Sequence, residues 1–287
     1  MSIHPAGQLE SSVHGPESAL DAKPDPPNHR TALIWLIRLA VLTAVIGSWQ
    51  LVAARAWINP SFTGKPSVIV GAFWQVITSN VMTQDLPTTL EETILGFLLG
   101  AIVGFAGGVV LSQVAILRKA LGPLLTAVNS MPRVALAPLL IIWFGLGLTS
   151  KIAMSFSLVV FIVLTNTTAG LMSSDRDLLL LGNSFGARGW RYIRYFVLPG
   201  SVPVLAAGLE LGLIYSFLGV IVGELVGGYS GLGVVLAAAA NSFDTNRFFA
   251  VLFLLSIVST LFTVFLRMGE RRLLRWHYVE MAATDRM

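Results

Sequence analysis

Residues 93–117 read TILGFLLGAIVGFAGGVVLSQVAIL, twenty-five positions without a charged side chain. A helix rises about 1.5 Å per residue, so about 20 apolar residues cross a hydrocarbon core about 30 Å thick. This stretch is long enough alone. Its glycines fall in strict register at Gly96, Gly100, Gly104 and Gly108. Residues four apart share a helix face, so the four make a groove free of side chains, and van der Waals packing in lipid draws another helix into it. The device returns at Gly208, Gly212 and Ser216, and at Gly219, Gly223 and Gly227. Whether the packed partner belongs to the same chain or to a second copy stays open at this level.

Working outward, residues 152–174 are also uncharged, 31–54 carry only Arg38, 120–150 only Arg133, and 248–266 no charge. We expect six spans, near 32–54, 92–116, 122–146, 152–172, 203–226 and 248–267. The whole chain agrees with them. Of its 287 residues, 55% are apolar or aromatic and only 12% charged, and the mean hydropathy is +0.76. A soluble fold could not cover itself with so little polar surface. With no cysteine, a disulfide framework, thiolate metal site or cysteine nucleophile is excluded, and four histidines make an imidazole metal site a poor reading. No nucleophile–base pair or His/Asp/Glu cluster stands out, so no catalytic residue and no metal ligand is assigned, and no enzyme is expected. Positive net charge here reflects cationic loops rather than nucleic acid.

Residues 1–30 hold five prolines with mixed charge and no apolar period, which reads as a disordered tail. The apolar run after them is too long for a secretory signal, so it stays as an anchor. The expected membrane domain is 31–278, followed by a short tail, 279–287. Six spans put both termini on one side, where thirteen of the nineteen lysines and arginines would gather. That excess makes this the cytoplasmic side.

The connection 173–199 is unlike the other loops. Ser173 or Ser174 can cap a short helix with Asp175 and Asp177 in its first turn. Gly186 and Gly189 then permit a sharp reversal, and a second short helix from Trp190 carries Arg191 and Arg194 on one face, before Pro199 and Pro203 reset the chain. This amphipathic helix–turn–helix either docks another protein or lies on anionic lipid.

At this loop the chain resembles the permeases of binding-protein-dependent ABC importers. Their loop motif reads E-A-A-x-x-x-G, nine residues, then I-x-L-P. Here Gly186 and Leu198-Pro199 match it, and Leu180, Leu181 and Gly182 occupy the first three positions, so the acidic residue is replaced. Thr89-Leu90, Gly96-Phe97, Pro132-Arg133-Val134-Ala135-Leu136-Ala137-Pro138, Trp143-Phe144-Gly145, Ile221-Val222-Gly223-Glu224, Gly231-Leu232-Gly233 and Leu274-Arg275-Trp276-His277 look like the sulfonate, taurine and nitrate branch. The resemblance covers residues 33–278. It implies an all-α, six-span type I importer permease of MetI-like architecture in a bacterial inner membrane, with 173–199 as a cytoplasmic coupling helix–turn–helix. It further implies an ATPase subunit coupled through Gly182, Ser184, Gly186, Ala187, Arg188, Trp190, Leu198 and Pro199. A periplasmic or lipid-anchored binding protein and a second copy or paralogue complete the set. Consistent with that division, the chain has no G-x-x-x-x-G-K-[ST] phosphate loop, so ATP and magnesium are expected on the partner and no cofactor on this chain.

Ionisable groups at membrane depth cost about 2.5–3.5 kcal/mol each on insertion scales, so each needs a reason. Arg133, between Pro132 and Pro138, either draws an anionic solute into the pathway or snorkels to the cytoplasmic interface. Glu210 could pair with Arg133 or line the cavity; Glu224 could join an outer gate or meet headgroups. Asn129, Asn166 and Tyr215 complete the candidate pathway residues. Ser230-Gly231-Leu232-Gly233 allows a re-entrant turn, tolerable at membrane depth only under cover; the resemblance implies a periplasmic loop contacting the binding protein, and a plain connecting turn is the other reading. A stand-alone secondary transporter coupled through Glu210 or Glu224 is the alternative, but the inverted repeats of that class are not visible.

Overall fold

The computed structural model describes residues 29–55, 57–173, 184–186, 191 and 193–273. Every regular element among them is helical. The chain divides into two units, 1–49 and 50–287. The first holds most of α1 (His29–Ala54), an apolar helix long enough to span, in which Arg38 sits over the Trp35 ring at 5.1 Å.

The second unit runs α2 (Pro60–Thr63), α3 (Pro66–Thr78), α4 (Leu86–Gln113), α5 (Ala115–Ser130), α6 (Ala137–Phe144), α7 (Leu148–Met172), α8 (Leu198–Val226), α9 (Leu232–Asn241) and α10 (Thr245–Leu273). Among the described residues five helices are long and apolar enough to cross a membrane, and α5 with α6 makes a sixth span only as a pair bent by 79°. The expected straight span over 122–146 is therefore broken at its middle. Pro132 causes the break: it has no N–H to give α5 and pushes Met131 into extended backbone, at ψ 135°. A 3-10 turn, Arg133–Leu136, and Pro138 in the first turn of α6 then restart the chain in a new direction. The connection 55–91 is likewise more ordered than hydropathy suggests, since it holds α2, α3, a π-turn over Val81–Asp85 and the start of α4.

The core is a slab of three helices. The central one, α7, runs parallel to α4 and antiparallel to α8, and both neighbours meet it through glycines. A Cβ built on Gly100 would lie 2.6 Å from Val159 Cβ, one on Gly104 2.5 Å from the Val160 carbonyl oxygen, and one on Gly108 2.5 Å from Thr167 Cβ. On the other side, Gly208 would meet Asn166 Cβ at 2.5 Å and Gly219 the Leu158 side chain at 2.8 Å. Gly96 abuts Ser155 in the same way. Side chains from α7 thus fill both glycine grooves, within one chain.

Where Ser replaces Gly in the α8 stripe, the backbones stay close and a polar rivet forms. Ser216 donates to the Thr93 carbonyl at 2.8 Å and Ser155 Oγ lies 2.6 Å from Ser216 Oγ, tying α4, α7 and α8 together at buried positions. Around this slab α3, α9 and α10 add an apolar layer that includes Val76, Phe217, Leu232, Val251 and Leu254.

Candidate functional site

Three places in the fold carry polar chemistry. The first is the buried floor under α9. The chain leaves α8 at Gly227 and turns back at Gly231, whose φ of +119° and ψ of 159° are open only to glycine. It then enters α9, a short apolar helix with Leu232 fully buried, so 227–241 folds back under cover of the protein. The new helix N-terminus presents N–H groups without intrahelical acceptors. Three side chains accept them: Asp85 Oδ1 takes Gly231 N–H at 2.9 Å, Thr89 Oγ1 takes Leu232 N–H at 2.9 Å, and Glu224 Oε2 takes Gly233 N–H at 2.6 Å. Thr89 in turn donates to Glu224 Oε1 at 2.7 Å. Glu224 is 1% exposed, so it neither faces headgroups nor lines an open route in this state.

Beside Glu224 lie Glu92, 2% exposed, and Lys151, 1% exposed. The side-chain nitrogen of Lys151 donates to the carbonyls of Leu146 and Gly147, which form the α6–α7 connection. The Glu92 carboxyl is hydrogen-bonded to that of Glu224, and its buried Oε2 has no further partner. Spacing offered a signal for these residues. Thr89, Glu92 and Thr93 extend the Gly96–Gly108 stripe of α4 by helical steps of three and four, so they had to face the packed side. Lys151 stands one turn before Ser155 on the face of α7 that fills both grooves.

The second place is the bend. Arg133, expected near one membrane surface, instead lies against the middle of α7: Nη1 donates to the Ser157 carbonyl at 3.2 Å and Nη2 to Asn129 Oδ1. Its guanidinium sits 4.4 Å from the Phe161 ring centroid, a cation–π contact. It is 9% exposed, its Nε has no partner, and among the described residues no carboxylate pairs with it. The reason is geometric, because the break at Pro132 sets residue 133 beside the middle of α7. Glu210 is not its counter-ion. That carboxylate pairs with Arg267 of α10 at 2.6 Å.

The third place is the far end of the slab. Of the expected coupling residues, Ser184 and Gly186 are described and exposed, and Gly186 has φ +66° with open space around its α-carbon. Gly182, Ala187, Arg188 and Trp190 lie outside the described residues. The loop returns through a π-turn, Ile193–Val197, into α8, where Leu198 and Pro199 form the first turn. Just beyond, Ser201 donates to the Gly170 carbonyl at 2.8 Å, so the loop exit is fastened to α7.

The candidate pathway residues do not share one cavity. Asn129 and Arg133 meet at the bend. Asn166 fits against Gly208, its amide donating to the Ile162 carbonyl at 2.8 Å. Tyr215 lines a groove of about 680 Å³ between α8, α9 and α10 with Phe217, Leu236 and Leu252. Among the described residues no group of three His, Cys, Asp or Glu side chains could hold a metal.

Residues 96–275 match the family described as binding-protein-dependent transport system inner membrane component. The chain is 36% identical over 221 residues to the riboflavin transport system permease protein RibX of Chloroflexus aurantiacus, covering 77% of this chain and 81% of that one. It is 27% identical over 256 residues to the taurine transport system permease protein TauC of Escherichia coli, covering 88% and 92%. A solved structure of the MetNI methionine ABC transporter, in an inward-facing conformation, superposes with a TM-score of 0.58 at 20% identity, covering 70% of this chain and 95% of that one.

Proposed function

The chain belongs to the family of binding-protein-dependent transport system inner membrane components, and on that premise we propose that it lines an import route for a small organic anion. It is a multi-pass permease subunit of an ABC importer and not an enzyme. Such a subunit works with an ATPase and a binding protein.

The observation that carries the anionic cargo is Arg133. A guanidinium beside the middle of α7 in a spanning bundle, with neutral acceptors only, leaves a positive charge uncompensated. Passing anions supply the compensation, and Asn129 holds the guanidinium toward the bend. A second reading, a planar heteroaromatic cargo, is favoured by the greater identity to the riboflavin permease. Reconstituting the chain with its ATPase and binding protein separates the two. Taurine uptake that falls about tenfold or more in Arg133→Gln, with basal ATP turnover kept, supports the anion. Riboflavin uptake without taurine uptake removes it.

Two copies of the chain, or one with a paralogue, enclose the route, with both termini and 173–199 in the cytoplasm. ATP and magnesium sit on the ATPase, which grips the loop around Gly186. An exposed elbow with left-handed backbone, leading into a helix fastened to α7 by Ser201, suits a handle that moves the slab as one piece. The chain has no cysteine of its own, so Phe185→Cys gives a clean cross-linking probe. We expect it to trap the ATPase subunit, and Gly186→Asp to abolish uptake in a chain that still accumulates. Normal uptake by that variant, or no trapped complex, would exclude the coupling role.

A further inference from the structure

None of the residues of α5 is fully buried. The helix leaves α4 through Val114, in extended backbone, and a groove of about 500 Å³ lies between the two. Val103, Gly107 and Val110 of α4 and Leu117, Leu121 and Leu125 of α5 line it, and Leu164 of α7 reaches in beside Gly107. The three α5 leucines stand one turn apart on one face and are half-buried. No polar side chain lines the groove.

Cations stand at one mouth. Leu111 lines the groove near the end of α4, and Arg118 Nη1 donates to the carbonyls of Leu111 and Ser112 at 3.3 and 3.2 Å. The guanidinium is thereby held at the groove's end, while its Nη2 and Nε have no acceptor among the described residues. Lys119 is exposed next to it, and among the described residues no carboxylate pairs with either cation. The start of α5 has no side-chain cap, so its first N–H groups add to the positive potential there. An aliphatic lining alone selects nothing in a bilayer, because acyl chains solvate apolar surface everywhere. An aliphatic lining that ends at two cations selects an amphiphile with a negative head. A helix of a second copy would also cover leucines, but the exposed apolar helix of this chain, α1, holds no acidic residue and would leave the charge uncompensated.

We propose that the groove between α4 and α5 binds an anionic glycerophospholipid, with an acyl chain along Leu117, Leu121 and Leu125 and the phosphate held by Arg118 and Lys119. The planar guanidinium fork supplies directed, charge-assisted hydrogen bonds to the phosphate, and the lysine a second positive charge.

The test extracts the full chain with equal amounts of phosphatidylglycerol and phosphatidylcholine of identical acyl chains, and native mass spectrometry counts what stays bound. One phosphatidylglycerol should be retained per chain, at about tenfold preference. Lys119→Gln should cut the preference about threefold, and Arg118→Gln with Lys119→Gln should remove it. Ala106→Phe fills the groove from an exposed position on α4, and should lower retention of both lipids while the lipid-free melting temperature stays near the parent's. Glycerophosphoglycerol, the head without chains, should displace nothing. Lys119→Gln decides alone if Arg118→Gln, which unfastens the end of α4, does not fold. Equal retention of the two lipids, a preference that survives loss of the cations, or displacement by the head alone overturns the site. So does a dimer of the chain that Ala106→Phe splits with lipid retention unchanged, because the groove then belongs to a second copy.

Discussion

Gly104→Val is expected to remove most of the folded chain from the membrane. The new Cβ would sit 2.5 Å from the Val160 carbonyl oxygen and about 3 Å from Val163 Cβ and Leu164 N. Two of those three atoms are main chain, which cannot rotate aside as a side chain can. Relief requires α4 and α7 to separate, and separation also unseats the contacts at Gly100 and Gly108 one turn on either side. In lipid there is no hydrophobic force to press the helices together again, because the bilayer solvates apolar surface as well as the partner helix does. Overpacking in a tight core costs about 1–3 kcal/mol and occasionally more, and this site has no slack on the partner side, so we expect at least the upper figure. Gly122→Ala is the control: that glycine lies in α5 with nothing within 4 Å, and losing backbone freedom there should stabilise the helix by about 0.5–1 kcal/mol. Thermal unfolding of detergent-extracted protein, followed by size-exclusion recovery, reads both. Should Gly104→Val melt within a few degrees of the parent, the slab is not interlocked.

The glycine register was legible in the sequence because it obeys a single rule, helical periodicity, and lipid makes close packing the force that such a stripe serves. Its partner was not legible. Nothing at Gly96 or Gly208 says that Ser155 and Asn166 of the same chain will fill them, since a second copy could supply equivalent side chains. The broken span was half legible: Pro132 and Pro138 announced a kink, but its size and the depth of Arg133 depend on how α5 and α6 pack. Buried charge was not legible. Glu92 and Lys151 each stand next to an uncharged run, at residues 93 and 152, and nothing in their position marks them as buried. Both are buried, because the helices begin earlier than hydropathy suggests, at Leu86 and Leu148, and because α9 folds back over them. A helix that folds back adds cover that a hydropathy profile cannot register. Glu210 shows the opposite case, where an ordinary partner on a neighbouring helix, Arg267, accounts for a charge that the sequence alone left to Arg133 or to a cavity.

Gly231→Ala should be the second severe lesion, for reasons that combine backbone and carboxylate. At φ +119° and ψ 159° an L side chain is strained by about 1–3 kcal/mol whatever its surroundings. Here the surroundings are full as well: the added Cβ would overlap the Glu224 carboxyl, well inside 3.0 Å. If the carboxyl moves to make room, Gly233 N–H loses its acceptor and the Thr89 hydroxyl keeps only the Asp85 carbonyl, and an orphaned buried group costs about 1–3 kcal/mol. If instead the backbone turns to a permitted φ, α9 leaves its seat and exposes Leu232. Either route breaks the floor, so the expected loss is about 3–5 kcal/mol. Gly186→Ala isolates the backbone part, since Gly186 is also left-handed but has open space around it, and about 1–2 kcal/mol is expected there. Glu224→Ala isolates the carboxylate part. Because the two lesions act on one contact, the double variant Gly231→Ala/Glu224→Ala should be clearly less damaging than the sum of the singles. Strict additivity in unfolding measurements would mean that the carboxylate and the turn are independent, and that Glu224 is not what holds the folded-back helix in place.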